Sequence, residues 1–128
     1  MKIQIEEVLD AADGRVRFRS GAESAKGRWA GPGEAPIGRE LEIEMEIFEE
    51  DIISARPAIE NSLSLVRQDG VEVVIIGRVE RVGHDGVIEL RVGQDIVLLE
   101  RIGVLSNAVE GANLELRVPE LKIYPIDL

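Results

Sequence analysis

The stretch RELEIEMEIFEED, residues 39–51, carries seven carboxylates in thirteen positions. Carboxylates are the side chains that bind divalent cations and, in pairs, move protons. Their spacing argues against both roles. Read as a strand, Glu40, Glu42, Glu44 and Glu46 share one face, and Leu41, Ile43, Met45 and Ile47 the other. Side chains two apart on a strand stand about 6.8 Å apart, whereas metal ligands converge on one point. Read as a helix, Leu41, Met45, Phe48 and Ile52 align, but Ile43 and Ile47 face away. The strand therefore fits better, although Glu, Leu and Met are good helix formers. The row is expected to be a solvated sheet face, with Arg15, Arg17 and Arg19 on an adjacent strand as its partners. Its end, Glu49-Glu50-Asp51, finds no basic partner in that scheme and is a candidate surface for a protein partner.

Three further groups carry chemistry. His84, the only histidine, sits in His84-Asp85-Gly86, where turn chemistry explains it better than acid–base work. The glycines of residues 27–38 lack the Lys-Ser/Thr ending and the strand-to-helix context of a phosphate-cradling loop. Trp29, in AKGRWAGPG, stands beside Lys26 and Arg28 as a basic-and-aromatic patch. That patch could stack on a nucleic-acid base, or the indole could fold back to cap a barrel end. With no Cys in the chain there is no disulfide, thiolate or zinc-finger chemistry. No nucleophile–base pair or ligand set can be assembled, so neither an enzyme nor a bound cofactor is expected.

The elements that must position these residues read as strands. Hydrophobic residues make up 45% of the 128, built on Val, Ile and Leu with only 3% aromatics and 13 Gly, which favours sheet over helical bundle. Period-two alternation marks strands at Ile3 to Leu9, Arg15 to Arg19, Arg39 to Ile47, Val71 to Val82, Val87 to Val92, Ile96 to Leu99, Asn113 to Val118 and Leu121 to Ile126. Residues 20–38, rich in Gly and Pro, read as one long loop. In Ser54 to Asp69, Pro57 suits a first helical position and Ile59, Leu63 and Val66 form a stripe, which predicts one short connecting helix. Asp13-Gly14 to Gly21 aligns with Asp85-Gly86 to Gly93, and Gly38 to Met45 with Gly111 to Val118, at shifts of about 72 residues, which points to a duplicated unit. The expected fold is all-β: small antiparallel barrel or twisted-sheet units, duplicated, in the order 1–53, linker 54–70 and 71–128.

Within the second half, IIGRVERV (75–82) resembles the first motif of the Sm-like family, and ERIGVL (100–105) is similar to that family's Arg-Gly second motif. The resemblance implies a five-stranded barrel that binds RNA in rings, with Arg101 and Gly103 as carried-over contact positions. At the family's acidic position this chain has Gly83 or Asp85, and nothing matches its Asn. The strand pattern also resembles the OB fold and tandem small barrels that bind oxyanions.

Fifteen basic against 25 acidic residues give a charge of −10, which repels nucleic acid and anionic membranes unless the arginines gather on one face. No stretch approaches the roughly 20 apolar residues of a membrane span. Met1 to Glu7 lacks the apolar run of a signal peptide, so a cytoplasmic location is expected. The sequence thus predicts a non-catalytic binding or assembly module that self-associates, with a dimer favoured. The alternatives are a nucleic-acid-binding barrel using Lys26, Arg28, Trp29, Arg101 and Gly103, and a tandem barrel that binds a small oxyanion.

Overall fold

Alternation of β-branched and charged residues produces eleven strands in the computed structural model, which describes residues 1–59, 65–100 and 109–126. They are β1 (Lys2–Asp10), β2 (Arg15–Ser20), β3 (Glu23–Trp29), β4 (Glu40–Phe48), β5 (Ser54–Pro57), β6 (Leu65–Asp69), β7 (Glu72–Val82), β8 (Ile88–Val92), β9 (Asp95–Glu100), β10 (Asn113–Val118) and β11 (Leu121–Pro125). The one helical element among the described residues is a 3-10 turn, Glu49–Asp51. The protein is all-β.

Five strands close on themselves: β1 pairs with β2, β2 with β3, β3 with β11, β11 with β4, and β4 with β1. Only the β3–β11 contact in this barrel is parallel. Closure removes the sheet edges that would otherwise offer unpaired backbone groups. The sheet then runs on from β4 through β9, β8, β7 and β10 to β5, with β6 beside β7. The spatial order β4–β1–β2–β3 recurs as β10–β7–β8–β9, antiparallel throughout. Each set also borrows a neighbour from the other: β11 completes the first barrel, and the end of β4 pairs with β9.

Inward positions form one continuous core, from Ile3, Ile5, Val16, Phe18 and Ile43 through Met45 and Ile123 to Leu90, Leu99 and Leu116. Along β7, Val73, Val74 and Ile75 are buried in succession, so both of its faces are covered there.

Three expectations differ from what the chain does. Among the described residues the connecting helix is not formed: Pro57 ends strand β5 opposite Leu114, and Val66 lies in strand β6 opposite Ile75. Leu63 lies outside the described residues. Pairing with β10 and β7 overrides a helical spacing that was only local. The loop expected at 20–38 contains β3, whose inward residues Ala25 and Gly27 are small because space is short. A Cβ on Gly27 would lie 2.6 Å from Ile123 Cδ1 and 3.0 Å from Phe18 Cε1. Finally, β4 is the strand expected, but its neighbour is not β2, because β1 lies between them. Arg17 instead meets Glu7 at 2.7 Å and Arg19 meets Glu6 at 3.2 Å, while Glu40 pairs with Lys2 at 3.8 Å.

Candidate binding site at the end of the first barrel

The pleat of β3 decides how the residues singled out in the sequence are displayed. Ala25, Gly27 and Trp29 point inward, and Lys26 and Arg28 point outward. The basic-and-aromatic patch is therefore divided between the two faces of one wall. Arg101 and Gly103 lie outside the described residues.

Outside, the register places Arg15 opposite Arg28 and Arg17 opposite Lys26. Like charges directly opposite are unfavourable. Glu120 relieves the first pair, 2.7 Å from Arg28 Nη2 and 3.8 Å from Arg15 Nε, and Glu7 neutralises Arg17. The Lys26 backbone N–H donates to Gln68 Oε1 at 3.0 Å, tying β3 to β6. Among the described residues no carboxylate lies within 4.0 Å of the Lys26 ammonium.

Glu49-Glu50-Asp51 forms the 3-10 turn after β4. A basic neighbour that the sequence did not reveal stands there: Lys122 Nζ is 4.0 Å from Asp51 and 4.5 Å above the Phe48 ring. Beside it the Glu46 carboxyl is held above its usual range, first by burial and then by Glu100 and Glu44, with Lys122 opposing. Burial, Glu46 and Glu100 likewise raise the Tyr124 phenol. Among the described residues no group of three or more His, Asp or Glu is arranged to hold a metal ion.

Inside, Trp29 stands at the barrel end where β1 finishes and β2 begins. Its backbone N–H donates to the Gly14 carbonyl at 2.8 Å, and Val8 pairs with Val16 alongside. The residue is 8% exposed, yet its indole Nε1 is buried without a hydrogen-bond partner. Beside it lies a cavity of about 300 Å3 lined by Val8, Ala11, Gly14, Val16, Trp29, Gly33, Glu34, Ala35 and Ile37. Residues 30–38 form a strap over this end. Ala30 N–H donates to Ile123 at one end, and Gly38 N–H to Ile5 at the other, each at 2.9 Å. Gln4 Nε2 adds a bond to the Gly38 carbonyl at 3.0 Å. Between these anchors Gly31 to Ala35 form no hydrogen bond among the described residues.

No family model, curated protein or solved structure matches this chain. What the site can do follows from its own geometry. Its walls hold Val, Ala, Gly, Ile, one indole and one carboxylate, so most of the surface a ligand would meet is apolar. A larger depression of about 570 Å3 lies between the β2–β3 and β8–β9 turns. Its charged walls, Lys2, Glu23, Glu42 and Asp95, carry no aromatic side chain, and it is open to solvent. The smaller cavity has the apolar lining and the few polar groups of a ligand site.

The sequence drew attention to Trp29 but not to Val8, Val16, Glu34 or Ile37. The available signal was Ala35 and Ile37, apolar residues set within a Gly/Pro-rich segment.

Proposed function

We propose that this chain is a non-catalytic binding module of the small-barrel type, taking its ligand at the barrel end beside Trp29. The observation that supports it is the cavity of about 300 Å3 together with the unpartnered Nε1 of a residue only 8% exposed. Buried polar groups in folded proteins are nearly always hydrogen-bonded, so an orphan donor on a residue that helps line a cavity favours an acceptor brought by a ligand. Trp29 is the only tryptophan, so its emission reports on this site alone. Titration with a broad set of small apolar molecules, read by Trp29 emission and melting temperature together, should give saturable responses. Silence in both readouts across the set sinks the reading.

Self-association is the second reading. It is supported by Ile53 and Ile59, 52% and 83% exposed, on either side of β5, which pairs with β10 alone among the described residues. Pro57 in β5 has no N–H to offer another strand, so side-chain packing favours the dimer more than edge pairing does. Light scattering decides it, and a monomer at high concentration sinks it. Nucleic-acid binding is less favoured, because Trp29 faces inward and Arg28 is paired with Glu120. Quenching of Trp29 by oligo-U at low salt would restore that reading. The recurring strand order favours an internal duplication of a four-strand unit, and a five-strand closure suits the Sm-like and OB-like families equally.

A further inference from the structure

We infer that the ligand at the Trp29 cavity is a small, uncharged ring compound carrying a neutral oxygen acceptor, admitted when the strap over residues 30–38 lifts. This rests on the binding-module reading and adds the chemical class. Size comes first. A dry cavity of about 150 Å3 suffices for benzene, so about 300 Å3 admits a six-membered ring with a short substituent. Wall chemistry comes next. Val8, Ala11, Val16, Ala35 and Ile37 offer no hydrogen bond from their side chains, so the body of the ligand is apolar.

The polar end follows from two groups. The Trp29 Nε1 is a donor only, and it is buried without a partner. The ligand therefore presents an acceptor. That acceptor is not an anion, because among the described residues the only charged one on the walls is Glu34, and the chain carries −10. A carboxylate would meet like charge in a site that has no cation to offset it. A carbonyl or hydroxyl oxygen satisfies both conditions.

Access follows from the strap. The Cε2–Cζ2 edge of the indole, to which Nε1 is bonded, is covered by Gly31, where an added Cβ would lie 2.6 Å from Cζ2 and 2.8 Å from Cε2. Gly31 belongs to the part of the strap with no hydrogen bonds, between the anchors at Ala30 and Gly38. Lifting that part uncovers the donor without breaking a barrel strand.

The test uses three molecules built on one ring and the indole N–H cross-peak of the single tryptophan. Cyclohexanone supplies a neutral acceptor, cyclohexanecarboxylate an anionic one, and methylcyclohexane none. Cyclohexanone should move the indole proton downfield with saturation. Methylcyclohexane should shift the Val8 and Val16 methyls without that move, and should bind about tenfold more weakly. Cyclohexanecarboxylate should also bind about tenfold more weakly than cyclohexanone, with the gap narrowed by Glu34→Gln. Equal binding of the carboxylate and the ketone overturns the ligand class and leaves the binding site standing. Equal binding of ketone and hydrocarbon, with no downfield move, overturns the role of Nε1. If none of the three disturbs Trp29 or the cavity methyls, the ligand class and the binding-module reading fall together.

Discussion

Gly14 and Trp29 hold each other at the barrel end: the Trp29 N–H donates to the Gly14 carbonyl at 2.8 Å, and a Cβ on Gly14 would stand 2.9 Å from the Trp29 carbonyl oxygen. Gly14 also has φ +78, where a side chain is strained by itself. Gly33 has φ +68 and nothing within 4 Å. Gly33→Ala should therefore cost only the conformational strain, about 1–2 kcal/mol. Gly14→Ala should exceed it by about 1–3 kcal/mol, because crowding is added. Urea midpoints of the two variants measure the difference, and equal losses would mean that the contact with Trp29 is unimportant.

Gly31→Ala tests the strap. The new methyl would press on the indole and on Pro125 Cγ, each at 2.6 Å. The strap should be displaced, at a cost of about 1–3 kcal/mol. Acrylamide should then quench Trp29 more efficiently than in the parent chain. Unchanged quenching would show that Gly31 does not govern access to the ring.

Two carboxylates should give pH dependences of opposite sign. Arg117 Nη1 lies 2.8 Å from Asp69 and 3.3 Å from Glu72, tying β10 to the β6–β7 hairpin. The hydrogen bond and charge of Arg117 hold the Asp69 carboxyl below its usual 3.8. A depressed folded value means the contribution is fully present above pH 3.8 and is lost as pH falls through the folded value. Asp69→Asn should flatten the acid limb of stability measured from about pH 6 to about pH 2. An unchanged limb would show that the pair is too solvated to matter.

Glu46 runs the other way. Burial, Glu100 and Glu44 hold it above its usual 4.5. A raised folded value favours the folded state at low pH, and stability falls as pH rises past 4.5 through the folded value. Glu46→Gln should therefore stabilise the protein at neutral pH, with the gain vanishing in acid. Destabilisation at neutral pH would mean that Lys122, directly opposite Glu46 in the ladder, outweighs the two carboxylates.

Exchange of strands between the two sets predicts dependence of one on the other. A fragment of residues 1–59 lacks β11, which pairs with both β3 and β4. Its circular dichroism should lack the parent's cooperative unfolding, and supplying residues 65–126 in trans should restore it. Cooperative unfolding of 1–59 alone would show that four strands and β5 suffice.

Most strands were legible because alternation is a local signal and the core is built on Val, Ile and Leu. β3 was not, since a barrel wall crowded by Phe18 and Ile123 requires Ala25 and Gly27 at inward positions, and small residues read as loop. β5 and β6 were hidden by Pro57 and by a spacing at Ile59 and Val66 that imitates a helix. Neighbour relations were beyond reach for a different reason. Nothing within RVRFR or ELEIEMEI encodes that β1 stands between them. At the site, Trp29, Lys26 and Arg28 were found by residue type, but only the pleat of β3 sets the indole inside and the cations outside. The cavity walls come from β1, β2, the turn between them, the end of β3 and the strap, and sequence proximity brings only part of them together.

The place of β11 also governs the order of events during synthesis. A ribosome releases β3 and β4 long before the strand that joins them, since about 70 residues separate the end of β4 from the start of β11. At roughly 5–20 residues per second, that interval lasts about 4–14 s. Throughout it, β3 and the β11-facing side of β4 are unpaired edges on an apolar sheet, the state most open to wrong pairing. A nascent chain that pauses within β7 to β10 therefore still presents these two edges, a form open to aggregation.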